Sequence, residues 1–138
     1  MRYLILPSAL LLGLGFMSST LVSAAGFDGR TNLVCATINV VACTEGPVCM
    51  QGTSQTFELP SFIFVDFKNK MVRGTDESGH DEVSPIKNHE KTESQIILQG
   101  IENHHGWTLA IDRQTGAMNL SSSGAEVGFL VMGNCTAL

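Results

Sequence analysis

Four cysteines, Cys35, Cys43, Cys49 and Cys135, limit what this chain can fold into more than any other feature. An even number of them in a short exported chain reads as a disulfide framework. Three pairings exist, and strand geometry ranks them. If "LVCATINVVAC" is one strand, Cys35 and Cys43 are about 26 Å apart at roughly 3.3 Å per residue, whereas a disulfide needs Cα atoms within about 7 Å. Cys43 and Cys49 flank the turn-rich "TEGPV" and face each other in a hairpin closed there. Cys35 is left for Cys135, so the first strand of the domain is tied to the last.

Export is read from the N-terminus. "MRYLILPSALLLGLGFMSSTLVSAAG" begins with Arg2, continues through an apolar core and ends on small residues, which is the layout of a secretory signal peptide over residues 1–24. The apolar part spans only Tyr3 to Met17 before Ser18, Ser19 and Thr20 interrupt it, short of the roughly 20 residues that a bilayer core requires. Cleavage is expected after Ala24. No cysteine follows until Cys35, so neither a lipid anchor nor a stable membrane anchor is expected, and the location is periplasmic or secreted. Removing 24 residues from 138 leaves a single secreted domain over residues 25–138, large enough to bury about two thirds of its unfolded surface. Of 8 Lys and Arg only Arg2 falls in the leader, while all 13 Asp and Glu follow it, giving the exported part a formal charge of −6. An acidic surface without a basic cluster argues against nucleic acid and anionic membranes as partners.

The exported part reads as strand nearly throughout. "LVCATINVV", "SFIFVDF", "SQIILQGIE", "GWTLAID", "AMNLS" and "VGFLVMG" are β-branched or alternating, and they follow one another after short polar breaks that leave no room for crossover helices. "SFIFVDF" alternates, with Ile63, Val65 and Phe67 on one face and Phe62, Phe64 and Asp66 on the other. About eight antiparallel strands in simple succession, with the first bridged to the last, predict an all-β fold, a small up-and-down β-barrel; a two-sheet β-sandwich is the alternative. The segment from Gly74 to Ser94 is polar and is expected to form long, mobile loops, with one weak strand candidate at "EVSPIK" that Pro85 restricts to an edge or a bulge.

One phrase occurs twice, as "FVDFKNKMV" and as "LAIDRQTGAM". Each passes from an apolar run through an Asp into a polar break and back, as a hairpin does. Gly116 is expected to take a positive φ and Asp112 to bond turn amides. In the first copy Asp66 plays the same part, Asn69 is the expected left-handed residue, and Lys70, which corresponds to Gly116, is expected to need no positive φ.

Residues that carry chemistry are few. His80, His89 and their acidic neighbours fall in the polar Gly74–Glu93 segment at no compact ligand spacing, and the cysteines are committed to disulfides, so no metal site is assigned. His104 and His105 lie in "IENHHGW", where Asn103 and Gly106 mark a loop. Trp107, the only tryptophan, is expected to plug the barrel core or, if the barrel encloses a cavity, to form its wall. No nucleophile elbow, free cysteine or phosphate-cradling loop is present after the leader, so no catalytic residue and no cofactor is assigned.

The run of "TEGPVC", "LPSFIFVDFKNKMV", "ILQGIEN", "GWTLAIDRQTGAM" and "VGFLVMGNCTAL" resembles a set of small exported proteobacterial proteins over nearly the whole exported chain, a resemblance that brings no activity with it. In architecture the chain is similar to the membrane-bound and periplasmic inhibitors of C-type lysozyme, small β-barrels with a disulfide between first and last strands. Those inhibitors carry a Ser-Gly-x-x-Tyr motif. "SGAEV" keeps Ser123 and Gly124 and has Val127 at the aromatic position. The expected function is a non-catalytic, monomeric barrel that binds an unidentified protein or small molecule through its loops or an open mouth, with candidate contacts at Trp107, His104, His105, Ser123 and Gly124. The alternatives are an enzyme or metal protein built on the Gly74–Glu93 segment and a structural envelope protein.

Overall fold

The computed structural model describes residues 27–46, 48–75 and 83–138. The leader and His80 lie outside the described residues. Among the described residues nine strands follow in order: β1 (Leu33–Thr44), β2 (Cys49–Gly52), β3 (Phe62–Asp66), β4 (Met71–Gly74), β5 (Val83–Lys91), β6 (Gln95–Glu102), β7 (His105–Asp112), β8 (Ala117–Ser123) and β9 (Val127–Ala137), with a 3₁₀ turn at Gln55–Phe57. Neighbours pair antiparallel in the order β1-β3-β4-β5-β6-β7-β8-β9, and β9 returns to β1, closing an eight-stranded barrel. β2 is the extra strand. It takes the β1 edge at Val40–Cys43, above the stretch Leu33–Ala36 that β3 occupies.

The closing seam is the longest in the molecule. β9 runs beside β1 from Leu33↔Ala137 to Thr44↔Val127, and Cys35 faces Cys135 within it, joined by a disulfide. Cys43 and Cys49 are joined across the β1–β2 hairpin. A bulge interrupts β1 between Thr37 and Asn39, and the leftover Ile38 is half exposed. Its consequence follows from the two-residue period of a strand. Before the bulge odd positions Leu33 and Cys35 face the core, and after it even positions Val40 and Ala42 do. Cys35 is therefore buried, while Cys43, eight residues on, is turned toward the outside.

Core residues stack in rows set by register. Ile96, Ile111, Met118 and Gly133 form one row, and Leu98, Leu109, Leu120, Val131 and Val40 the next. Gly133 is required in its row: a Cβ there would lie 2.0 Å from the Ala36 carbonyl oxygen and 2.7 Å from the Met118 methyl. In β3 the inward residues are Ile63 and Val65, as the alternation predicts.

One barrel end is closed by the segment Phe27–Asn32. The Phe27 amide donates to the Arg113 carbonyl at 3.2 Å, and Arg113 returns its Nε to the Phe27 carbonyl at 3.2 Å while its Nη1 reaches the carbonyls of Thr92 and Glu93. The Asn32 Oδ1 accepts from the Phe67 amide. A guanidinium that holds three backbone carbonyls ties this strap to two turns at once.

In the polar segment the strand candidate at "EVSPIK" is a strand, and it runs on through residues expected to be loop: residues 83–91 form β5, a full wall strand paired to β4 and β6. Pro85 stands in that wall rather than at an edge, next to a bulge between Ile86 and Asn88. Beyond the bulge His89 and Lys91 pair with Leu98 and Ile96, and at this end of the barrel both remain exposed. There His89 meets the Phe67 ring, with centroids 5.4 Å apart, and Lys91 Nζ reaches the Asp28 carbonyl at 3.4 Å.

Both copies of the repeated phrase are hairpin turns at this end. Asp112 Oδ1 accepts from the Gln114 and Thr115 amides, and Asp66 Oδ1 accepts from the Asn69 amide. The left-handed position is a second correction. Gly116 has φ 74°, and in the first copy it is Lys70, at φ 55°, that takes this conformation, while Asn69 does not. Gly116 is also crowded, since a Cβ there would come within 2.3 Å of the Phe27 ring and 2.6 Å of the Cys135 carbonyl. The two turns therefore share a geometry, and one of them holds a lysine in a strained conformation.

Gly116→Val should destabilise the fold by at least about 1 kcal/mol, and Lys70→Gly should stabilise it by roughly 0.5 to 1 kcal/mol after the entropy of the unfolded glycine is set against the relieved strain. Paired thermal melts of the two variants check this, and a destabilised Lys70→Gly would contradict it.

Asp66, Asp112 and Asp28 all have pKa values below the ordinary carboxylate value. The largest causes are the backbone amides of Asn69, Thr115 and Thr31 respectively, with the Asn69 side chain, the Thr115 hydroxyl and the Arg30 amide next. Groups with depressed folded-state pKa values contribute stability that is present above the unfolded value of about 3.9 and lost as pH falls through the folded values. The melting temperature should therefore hold from neutral pH down to about 4 and fall below it, and the fall should be shallower in Asp112→Asn, whose amide oxygen accepts the same bonds without titrating.

Candidate functional site

The opposite end of the barrel holds a cavity of about 310 Å³, at the lower end of the range of roughly 300 to 1,000 Å³ typical of ligand sites. Register explains why it is there. The row above Leu98, Leu109 and Leu120 reads Gly100, Trp107, Ser122, Phe129 and Ala42 around the wall. Where the two lower rows carry long aliphatic chains, this one alternates two aromatics with Gly, Ser and Ala. Ser122, between the two aromatics, leaves space that their rings do not fill, and Leu59 and Pro60, from the connection between β2 and β3, complete the rim.

Trp107 forms a wall of this cavity and is only 7 % exposed. Its indole lies across Gly100 on the neighbouring strand, where a Cβ would sit 2.3 Å from Cζ2. That close approach gives the glycine inside the "IILQGIE" strand its role. The indole Nε1 donates to Ser84 Oγ at 2.7 Å, a bond made in the interior between β7 and β5. Burying an indole N–H without a partner would be costly, so Ser84 fixes the ring orientation.

His105 stands at the cavity rim, paired with Glu102 in the last step of the β6–β7 ladder, and its ring packs on Gly124, where a Cβ would be 2.8 Å from Cε1. Sequence spacing suggested a loop from Asn103 to Gly106. The structure shortens it to Asn103 and His104, both with positive φ, 46° and 66°, and places His105 and Gly106 in β7. A two-residue hairpin with both central residues left-handed is the type that matches strand twist. His104 is exposed and does not line the cavity. Ser123 is exposed as well; its neighbour Ser122 faces inward. Of the five candidates, Trp107 and His105 line the cavity, Gly124 packs against the His105 ring without lining it, and His104 and Ser123 are exposed.

Ser84, Gly100 and Phe129 belong to the same site and were not singled out from sequence. Ser84 was hidden in the polar stretch before Pro85, and only Gly100, interrupting an alternating strand, carried a signal. His89 and Glu90 are consecutive in β5 and so face opposite sides of the wall. Among the described residues no three His, Cys, Asp or Glu side chains converge as a metal site. The carboxylates with lowered pKa values are all accounted for by turn amides of the closed end and its strap, away from the cavity. No helix among the described residues is long and apolar enough to cross a membrane. Compared with protein-family models, with curated proteins and with solved structures, the chain matches none.

Gly100→Ala should push the indole off its seat and break its bond to Ser84, costing about 1 to 3 kcal/mol as an overpacked core position does. Because Trp107 is the only tryptophan, its emission should shift to the red in this variant. An unchanged spectrum and melting temperature would show that the ring does not depend on the glycine.

Proposed function

We propose that this is an exported binding protein, without catalytic activity, whose barrel takes a small and mostly apolar molecule into its open end. The observation that supports this most is the cavity of about 310 Å³ walled by Trp107, Phe129, Leu109, Leu120 and Val131. An apolar pocket with a few placed polar groups is the usual form of a small-molecule site. Two disulfides fit a compartment that oxidises thiols, and together with the N-terminal leader they support a periplasmic or secreted location. Arg73 and Glu102, one cation and one carboxylate, both line the cavity, which favours a ligand without net charge.

The test uses the neutral fluorophore N-phenyl-1-naphthylamine. Its emission should rise on mixing with the mature protein while Trp107 emission is quenched. Ser122→Phe, which places a ring in the cavity beside Trp107, should weaken binding by about tenfold or more, a loss of at least 1.4 kcal/mol. If the wild-type protein leaves the probe emission unchanged, the reading fails.

A further inference from the structure

The cavity presents three hydroxyl groups, those of Thr37, Ser84 and Ser122. Their surroundings separate them. The Thr37 hydroxyl is spent within the wall, donating to the carbonyls of Pro60 at 3.0 Å and Ser61 at 3.1 Å. Ser122 is half-buried at a level open to solvent. Ser84 is 2 % exposed, and its oxygen already accepts the Trp107 Nε1–H at 2.7 Å. A serine hydroxyl has one proton to give, and with the indole bond directed at the oxygen that proton remains. Among the described residues it has no acceptor.

We propose that the ligand carries a hydrogen-bond acceptor, a carbonyl or an ether oxygen, that receives the Ser84 hydroxyl proton inside the cavity. This rests on the cavity being a small-molecule site, and it narrows the ligand to neutral ketones, esters, amides or ethers of largely apolar character. Two physical effects favour the arrangement. A hydroxyl that accepts a bond becomes a stronger donor through its own proton, so the indole activates Ser84 for the ligand. A buried donor left unmade is costly, so a ligand that supplies an acceptor is preferred over one of the same shape that does not. Trp107 then has two functions: its ring is a wall of the cavity, and its N–H fixes the serine oxygen so that the remaining proton is free for the ligand.

Acetophenone and α-methylstyrene test this, because they share a shape and differ in an oxygen replaced by a methylene group. Each is titrated against the protein loaded with N-phenyl-1-naphthylamine, and displacement is read from the probe. Ser84→Ala should weaken acetophenone by about three- to tenfold more than it weakens α-methylstyrene, since any movement of the Trp107 ring is felt by both compounds and the lost hydroxyl proton by acetophenone alone. The infrared carbonyl stretch of acetophenone bound to the unmodified protein supplies a readout that needs no variant, and it should lie below its position in hexane. Equal effects of Ser84→Ala on the two compounds, or a bound carbonyl stretch at the hexane position, would overturn the proposal and leave the binding function standing. Failure of both compounds and of the fluorophore to bind would overturn the binding function and this proposal together.

Discussion

Everything else in the barrel depends on the seam between β1 and β9. A sheet of eight strands that did not close would leave two edges of unpaired amides and carbonyls, and its inner face would have no opposite wall to bury against. β1 meets β9 along its whole length, and a disulfide at the buried pair of Cys35 and Cys135 spans that seam. The crosslink joins residues a hundred positions apart, so it removes a large share of the freedom of the unfolded chain. The bond between Cys43 and Cys49 closes only a short hairpin and acts locally. The bulge at Ile38 lets one strand serve both, with one cysteine facing the core and the other facing outward.

The two ends of the barrel are built on different principles. At the closed end, backbone donors and acceptors are matched by a strap and by turns whose Asp side chains hold the amides in place, with Arg113 binding three carbonyls. At the other end, a two-residue turn at Asn103 and His104 and the small Ser122 between two aromatics leave the interior unfilled. Polar satisfaction closes one end, and a deficit of side-chain volume opens the other.

Much of the architecture was legible because it rests on period and spacing. Ile63 and Val65 announce their face by alternation, the cysteine pairs follow from strand length, and Gly116 marks a left-handed turn by being glycine. What escaped had a physical reason. β5 signalled itself only at "EVSPIK", because Ser84 borders the cavity and Lys87 to Lys91 are all exposed, so few of its positions need large apolar groups. Lys70 and His104 occupy left-handed positions that side chains ordinarily avoid, and nothing in their identity signals it. The bulge at Ile38 reverses inside and outside partway along β1, which a two-residue period cannot show. The cavity is bounded by residues from many strands, and its place shows only once register sets Gly100, Trp107 and Ser122 side by side and seats the indole on the glycine.

The strap across the closed end makes the barrel a blind tube. Under the proposed function, a molecule beside Trp107 would enter and leave at the end lined, among the described residues, by Leu59, Pro60, Arg73, Glu102 and His105. Entry and exit then share one barrier. Altering the rim changes association and dissociation rates by the same factor and leaves the equilibrium where it was, whereas altering the wall at depth changes the residence time alone. The rim can therefore change how fast a ligand exchanges without changing how tightly it is held, whereas the deep wall changes both.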